Sequence, residues 1–330
     1  MAKGSQRVVT KARLFDADRT DKEIELGSKT VASIGDRQLL WVDAVVTDDP
    51  ADGHAVLTWL PFDADIVERM WASSPAPRLA VHGDFFLARV VVLRERKGRD
   101  ERVLLDLAVG GNVVLTAHRE PLEFLAEIDD RIRDDTTMGE LDSADFATVI
   151  IDGLVTSYLE LTDAILMEVD RLDGEALKLS SGRDLLTDLV AVRRRIAAVR
   201  RVLVAHRTVF ASMAGADFRV ITGPDSAPQF DAVTERYNGA IDAIDSAREA
   251  LIGTFDIYMS RTAQRTNDTV KILTIVSILL LPTGVIAGFM GMNIKAPYSN
   301  DDPTIFWFVV VGIVLVAAVT VVALRVRRWL

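Results

Sequence analysis

Two long uncharged runs decide the fold class of this chain: ILTIVSILLLPTGVIAGFM at residues 272–290 and IFWFVVVGIVLVAAVTVVAL at residues 305–324. They contain nineteen and twenty residues without an Asp, Glu, Lys or Arg. Because a helix rises about 1.5 Å per residue, each run spans about 30 Å, the hydrocarbon thickness of a bilayer. The runs therefore predict two transmembrane helices rather than two core helices of a soluble protein.

The charges beside these runs predict their orientation. Six basic residues flank the pair on its two outer sides: Arg261, Arg265, Lys271, Arg325, Arg327 and Arg328. The loop at residues 291–304 carries only Lys295, offset by Asp301 and Asp302. Because lysine and arginine concentrate on the cytoplasmic side, we expect a multi-pass protein of the plasma or inner membrane with both termini in the cytoplasm.

The overall composition fits a chain with a water-soluble part and a lipid-soluble part. The 330 residues are 49% hydrophobic and 26% charged, and the net charge is −10. An acidic chain has no general affinity for phosphate backbones, which argues against nucleic acid as a partner and is compatible with cations. The chain lacks cysteine and shows no phosphate-binding loop or catalytic triad, so we expect neither an enzyme nor a bound cofactor.

The N-terminal part alternates short apolar runs with turn signals, a pattern typical of strands. The predicted strands are Gln38–Val46, His54–Leu60, Phe85–Val92, Arg102–Val109 and Val113–Thr116. One helix is predicted at Asp63–Ala72. We therefore expect an α+β cytoplasmic domain with a mainly β core over residues 1–143.

After Pro121 the periodicity becomes helical and stays so. The predicted helices are Leu122–Arg133, Ala144–Leu177, Arg183–Ala214 and a long helix from Phe230, with a loop at residues 215–228. We expect cytoplasmic stalk helices over residues 144–271 and a two-helix transmembrane domain with a basic tail over residues 272–330. The first transmembrane helix continues the last stalk helix, and a helix of that length needs neighbours to be stable.

One face of this long helix carries the candidate functional residues. Steps of three and four from Asp256 reach side chains that are polar, small or moderately apolar: Asn267, Val270, Leu273, Ser277, Leu281 and Gly284. A pore lined by this face would pass a cation that keeps most of its water, which suits Mg²⁺ because that ion dehydrates reluctantly. Ordinary helix packing explains the same spacing equally well, so both interpretations stay open here.

The tripeptide Gly291-Met292-Asn293 follows the first apolar run, one span before a basic tail. In this position, and preceded by LPTGVIAG at residues 281–288, it closely resembles the signature of the CorA magnesium-transporter family. The segment NDTVKILTI at residues 267–275 resembles the entry of that family's pore helix. The resemblance is sharp over residues 256–330 and diffuse elsewhere.

The resemblance implies a homopentamer in the lipid bilayer, a helix-lined funnel that conducts divalent cations. By position, Asn293 would form an amide ring at the outer mouth, in a loop shaped by Gly291 and Met292. Mg²⁺ would be the transported ion and also the regulatory ion.

The resemblance also assigns roles at the inner end of the pore and in the stalk. Asn267 would form a second polar ring beside an apolar constriction at Val270 and Leu273, with Asp256 in the cytoplasmic vestibule. Cation binding between cytoplasmic domains would favour the closed state. Candidate ligands for that regulatory ion are three acids of the stalk: Asp231, Asp242 and Asp245.

The outer loop departs from the family pattern. The best-known magnesium members continue the tripeptide with a Met-Pro-Glu-like segment, whereas this chain has IKAPYSNDD at residues 294–302. Lys295 is expected to repel cations, and the polar side chain expected near Gly284 is absent. The alternatives are therefore transport of Zn²⁺, with or without proton coupling, transport of Co²⁺, and a non-conducting membrane-anchored regulatory protein. Met292, where the zinc branch usually has Val, favours magnesium.

Overall fold

The computed structural model describes residues 9–18, 21–26, 31, 34–35, 37–45, 60–63, 75–96, 99–132, 142–178, 183–291 and 303–326. The strands within these ranges are β1 (Val9–Asp16), β2 (Lys22–Glu23), β3 (Gln38–Val45), β4 (Arg78–His82), β5 (Phe85–Arg96), β6 (Arg99–Gly110) and β7 (Val113–His118). The helices are α1 (Glu123–Arg131), α2 (Ser143–Ala176), α3 (Arg183–Met213), α4 (Ala216–Gly291) and α5 (Pro303–Val326).

The described strands form one mixed sheet in the order β2-β1-β3-β7-β6-β5-β4. β3 and β7 are parallel, with Leu40 opposite Val113, and the other neighbours are antiparallel. The turn between β6 and β7 places Gly111 and Asn112 at φ 58°, as a two-residue hairpin with two left-handed residues requires. This turn returns the chain beside β6 and sets β7 against β3.

Both faces of the sheet are covered by apolar side chains. One face carries a cluster of buried residues: Ala12, Leu40, Val42, Ala44, Leu60, Phe62, Leu87, Ala108, Val113 and Leu115. On the other face the ring centroids of Trp41 and Phe146 of α2 lie 5.4 Å apart, and those of Phe86 and Phe218 of α4 lie 4.9 Å apart. The helices are therefore anchored to the sheet by aromatic contacts.

Side chains of two helices complete the edge of β5. The pairing of β5 with β4 ends at Arg89, beyond which Val91 has no partner on that strand. The Val91 N–H donates to Nε2 of His206 (2.8 Å), and the hydroxyl of Tyr158 donates to the Val91 carbonyl oxygen. Nδ1 of His206 in turn donates to the carbonyl oxygen of Val202 (2.7 Å). The exposed edge of a strand is thus satisfied by buried side chains.

The strand predictions are confirmed for β3, β5, β6 and β7, each within a few residues at its ends. β1, β2 and β4 were not predicted. The strand predicted at His54–Leu60 and the helix predicted at Asp63–Ala72 lie almost wholly outside the described residues.

The predictions for α1, α2 and α3 are confirmed, but the loop predicted at residues 215–228 is wrong. α4 begins at Ala216 and is interrupted only at Gly223, whose φ of 79° and ψ of 167° are not helical. Phe218 lies in this segment and packs against Phe86 and Phe230, with ring centroids 4.9 Å away in both cases. Burial of Phe218 therefore outweighs the Gly and Pro turn signals. α4 then continues through Pro282 to its end.

The chain divides into two compact units. The first comprises Met1–Glu175 and Ser181–Thr254, and the second comprises Ala176–Ser180 and Phe255–Leu330. The sheet shares the first unit with α1, α3 and nearly all of α2, whereas the second contains the later part of α4 and α5. The division of the chain at residues 143 and 271 stays a prediction.

Candidate functional site

The later part of α4 carries the candidate pore residues on one continuous helical surface. No residue between Phe255 and Gly291 departs from helical geometry. At about 100° per residue, the described candidates fall within an arc of about 120°. They are Asp256, Asn267, Val270, Leu273, Ser277, Leu281, Gly284 and Gly291. We call this surface the candidate face.

The candidate face is exposed in the single chain. Val270 is 55% exposed, Leu273 65% and Leu281 67%. Four half-buried residues of the same stretch, Ile275, Leu279, Pro282 and Ile286, lie about 150° around the helix. Thr274 is also half-buried, and it lies within the arc of the candidate face. Ile272 on the opposite side is also 63% exposed, so packing within the chain covers neither side of α4 fully and leaves most of the candidate face available to other molecules.

The hydroxyl groups in the apolar stretch are bonded within the helix. The hydroxyl of Ser277, on the candidate face, donates to the carbonyl oxygen of Leu273 (2.8 Å). The hydroxyl of Thr274 donates in the same way to the carbonyl oxygen of Val270 (2.8 Å). Because each hydroxyl has an acceptor four residues earlier, these polar groups lie in an apolar stretch without an unsatisfied donor.

The other end of the candidate face combines an acid with large apolar side chains. Asp256 is exposed, and beside it Phe255 is 39% and Met259 52% exposed. Exposed apolar side chains that adjoin one another are typical of a surface that another molecule covers, and we expect such a surface here. Sequence reasoning singled out Asp256 but missed these two neighbours, although they are separated by four residues, as on one helical face.

α4 also contains the membrane-crossing signal. Within the described residues it is the one helix with a stretch long and apolar enough to cross a bilayer, and none of that stretch is buried. α5 contributes a shorter apolar helical segment, Trp307–Val322. The first predicted span is thus a long apolar helix, and the second predicted run is also helical.

A comparison with known families adds to this geometry. Residues 36–328 match the sequence model of one family, described as CorA-like Mg²⁺ transporter protein. The chain belongs to this CorA-like family.

Relatives in the CorA-like family are named as transporters of different ions. The cobalt/magnesium transport protein CorA of Thermotoga maritima is 27% identical over 183 residues, and the match spans 55% of this chain and about half (51%) of the relative. The protein of the same name from Methanocaldococcus jannaschii is 21% identical over 305 residues, covering 90% of this chain and 93% of the relative. The zinc transport protein ZntB of Yersinia enterocolitica is 24% identical over 223 residues, covering 66% of this chain and 65% of the relative.

A solved structure shows that the CorA-like fold extends over the whole chain. The complete structure of the CorA magnesium transporter from Methanocaldococcus jannaschii superimposes with a TM-score of 0.80 over 100% of both chains, at 19% identity. The predicted fold class is thereby confirmed in its coarse form, a mixed-sheet domain together with a long helix.

The three acids suggested as regulatory ligands in this CorA-like chain do not form one metal-binding cluster. Asp231 is ion-paired with Arg219 (2.8 Å), Asp245 is ion-paired with Arg200 (2.5 Å), and Asp242 is exposed. Among the residues that the structure describes, no group of three or more Asp, Glu or His side chains could hold a metal ion. Their assignment as metal ligands stays a prediction.

The outer part of the predicted site has no described geometry. Gly291 is the last residue of α4 and is exposed, whereas Met292 and Asn293 lie outside the described residues. Lys295, like the two aspartates of the same loop, also lies outside them.

Proposed function

We propose that this chain conducts divalent cations, foremost Mg²⁺, across a membrane through a pore formed by five copies. The observation that carries the proposal is the candidate face, which is polar, small or moderately apolar and on which Val270, Leu273 and Leu281 are more than half exposed in the single chain. Five copies would cover these exposed faces by turning them toward a common axis. Two relatives named as cobalt/magnesium transport proteins support the choice of ion. The same family membership supports a transporter and not an enzyme.

The proposed topology uses α4 and α5 as two spans. The lone lysine of the loop between them and the basic residues on their other sides favour a loop outside and two cytoplasmic termini. In this arrangement the sheet and the helices packed on it form the cytoplasmic domain.

The proposed conduction path follows the candidate face inward. A hydrated cation would meet the amide of Asn293, pass the hydroxyl of Ser277, and reach the constriction at Val270 and Leu273. The Asn267 amide lies about one turn further along. Mg²⁺ gives up its bound water reluctantly. Side-chain oxygen atoms that contact its water shell therefore suit it better than a cage of carboxylates that binds the bare ion. Cytoplasmic Mg²⁺ would favour the closed state by binding between neighbouring domains.

Zinc transport is the second candidate, favoured by the similarity to ZntB. A zinc transporter coupled to protons would use the same helices, but its flux would require a proton gradient. The two functions therefore differ in a measurable driving force as well as in the ion.

The test is uptake of Mg²⁺ and Zn²⁺ into proteoliposomes with a negative-inside potential and no proton gradient. We expect Mg²⁺ uptake by the unaltered chain. Asn293→Ala removes the amide at the mouth and should abolish that uptake while the oligomer persists. Asn300→Ala, which deletes the same chemical group from the same loop, is the matched control and should conduct normally.

The outcomes separate the candidates. Uptake of Zn²⁺ alone, or uptake that appears only with a proton gradient, would replace the magnesium channel by the zinc transporter. No uptake of either ion would favour a non-conducting regulatory protein. Unaltered flux in Asn293→Ala would overturn the assignment of the outer mouth.

A further inference from the structure

Two neighbouring helices of the first unit carry opposite charge. α2 contains eight Asp or Glu residues against a single Arg. Over residues 189–213, α3 contains six Arg residues and no acid. Because the whole chain carries a net charge of −10, this basic stretch is a local exception to an acidic composition.

Some of these charged side chains form ion pairs within the first unit. Arg195 of α3 forms ion pairs with Asp100 of β6 (2.9 Å) and Glu168 of α2 (3.3 Å). Arg200, also on α3, pairs with Asp245 of α4 (2.5 Å). These contacts point sideways from α3 toward its neighbours and join the helices to one another and to the sheet.

The remaining charges form two outward stripes. The acidic stripe on α2 consists of Glu160, Asp163, Met167 and Asp170, all exposed. The basic stripe on α3 consists of Val190, Arg194, Ala197 and Arg201, also all exposed. Steps of three and four residues place each stripe on a single helical face. Within the described part of the chain, none of the charged members of either stripe forms an ion pair.

The two stripes lie at the same level of the helix pair. α2 and α3 are consecutive, and the Glu168–Arg195 ion pair fixes which residues stand side by side. Because the two helices run in opposite directions, a residue five positions before Glu168 lies beside one five positions after Arg195. Asp163 is thus at the same height along the helix pair as Arg200, and Asp170 is at the same height as Arg193. Each stripe is about 15 Å long, so the stripes match in length as well as in level.

We propose that the acidic stripe of one copy docks on the basic stripe of its neighbour in the assembled ring. A head-to-tail ring joins two different patches of the same chain, and those patches must be complementary. Neighbouring copies in a ring are related by rotation about its axis, and this rotation leaves the position of each residue along the axis unchanged. If α2 and α3 run along the axis, the acidic stripe of one copy and the basic stripe of the next therefore lie at the same position and can meet. Met167, which is 67% exposed, would then pack against Ala197 between the charged pairs, with Val190 at the end of the basic stripe beyond Arg194.

This proposal rests on the ring assembly of the proposed function and adds the contact that orders the copies. Each exposed ion pair contributes little alone, but reversing two charges turns attraction into repulsion at every contact of the ring. Assembly should also weaken as salt is added, because exposed pairs are screened.

The experiment measures subunit dissociation of the full chain in detergent by light scattering. Glu160→Arg with Asp163→Arg should raise the dissociation constant by about tenfold or more at low salt. Adding Asp170→Arg, Arg194→Glu and Arg201→Glu to the same chain exchanges the charges of the two stripes and should restore assembly. The matched control, Glu123→Arg with Glu127→Arg, makes the same charge change on exposed acids of α1 and should assemble normally.

Assembly that the first double variant leaves unchanged would overturn the docking, while Mg²⁺ flux by the unaltered chain would still support the proposed function. Failure of the five-residue exchange to restore assembly would also overturn it. So would a basic stripe that binds phosphatidylserine vesicles in the assembled protein, since a docked stripe is covered. An unaltered chain that neither assembles nor conducts would instead count against the proposed function.

Discussion

Among single residues, His206 links the stability of the protein to pH. Burial lowers the pKa of its imidazole to about 4, from about 6.5 in an unfolded chain. Between pH 4 and pH 6.5 the unfolded chain binds more protons at His206 than the folded chain does. The stability that the neutral imidazole contributes is therefore complete above pH 6.5 and is lost as the pH falls toward 4. We expect a loss of about 3 kcal/mol across that window. Acid unfolding of the detergent-solubilised chain, followed by circular dichroism, measures it.

His206→Ala provides the comparison for this prediction. The variant should be less stable at pH 8, because Val91 loses its acceptor, and its stability should depend less on pH between 6.5 and 4. His82→Ala, at the end of an edge strand, should leave the acid transition in place. An unchanged acid transition in the His206 variant would contradict the prediction.

Single residues differ in how far their place could be predicted. The common face of Asn267, Val270 and Ser277 follows from helical periodicity alone, which needs only the local sequence. The role of His206 depends on Val91, which is 115 residues away, so no local pattern indicates it. Asn293 was singled out by its motif, and its role stays a prediction.

Within the elements, Gly223 carries the strongest backbone requirement of α4. Its φ of 79° and ψ of 167° belong to a region open almost only to glycine. Gly223→Ala should therefore lower the free energy of unfolding by about 1–3 kcal/mol. Gly239→Ala is the matched control, because it lies in regular helix with no atom within 4 Å of the added methyl group, and it should be neutral or stabilising. Thermal unfolding of both variants checks the difference, and equal melting temperatures would contradict it.

The elements also show where local signals fail. α1, α2 and α3 were predicted because amphipathic periodicity persists over their whole length. The segment at residues 215–228 was assigned to a loop because Gly, Pro and Asp are typical of turns, whereas burial of Phe218 selects helix. β4 has only five residues, too few for a clear alternation.

For the whole molecule, the absence of cysteine allows a direct test of topology. A Ser299→Cys variant places one thiol in the loop proposed to lie outside, and Ser212→Cys places one on α3. We expect a membrane-impermeant maleimide to label the first in intact cells and the second only after permeabilisation. Labelling of both, or of the second alone, in intact cells would contradict the proposed orientation.

At this scale, the resemblance of one short C-terminal region predicted a fold that extends over the whole chain. The order of the strands was beyond the reach of local patterns, because the parallel pairing of β3 with β7 joins segments about seventy residues apart. The proposed pentamer depends on contacts between copies, which a single chain does not contain, so it stays a prediction.

The internal bond of the Ser277 hydroxyl has a consequence for which ions can pass. A hydroxyl has one proton and two lone pairs, and here the proton is held by the carbonyl oxygen of Leu273. What the hydroxyl would offer to the proposed pore is therefore a lone pair, which accepts hydrogen bonds but cannot donate them. A chloride ion would find no proton to solvate it at this depth, whereas a metal ion with its water would find an acceptor. In the proposed channel, Ser277 would thus disfavour anions without a carboxylate in the apolar stretch.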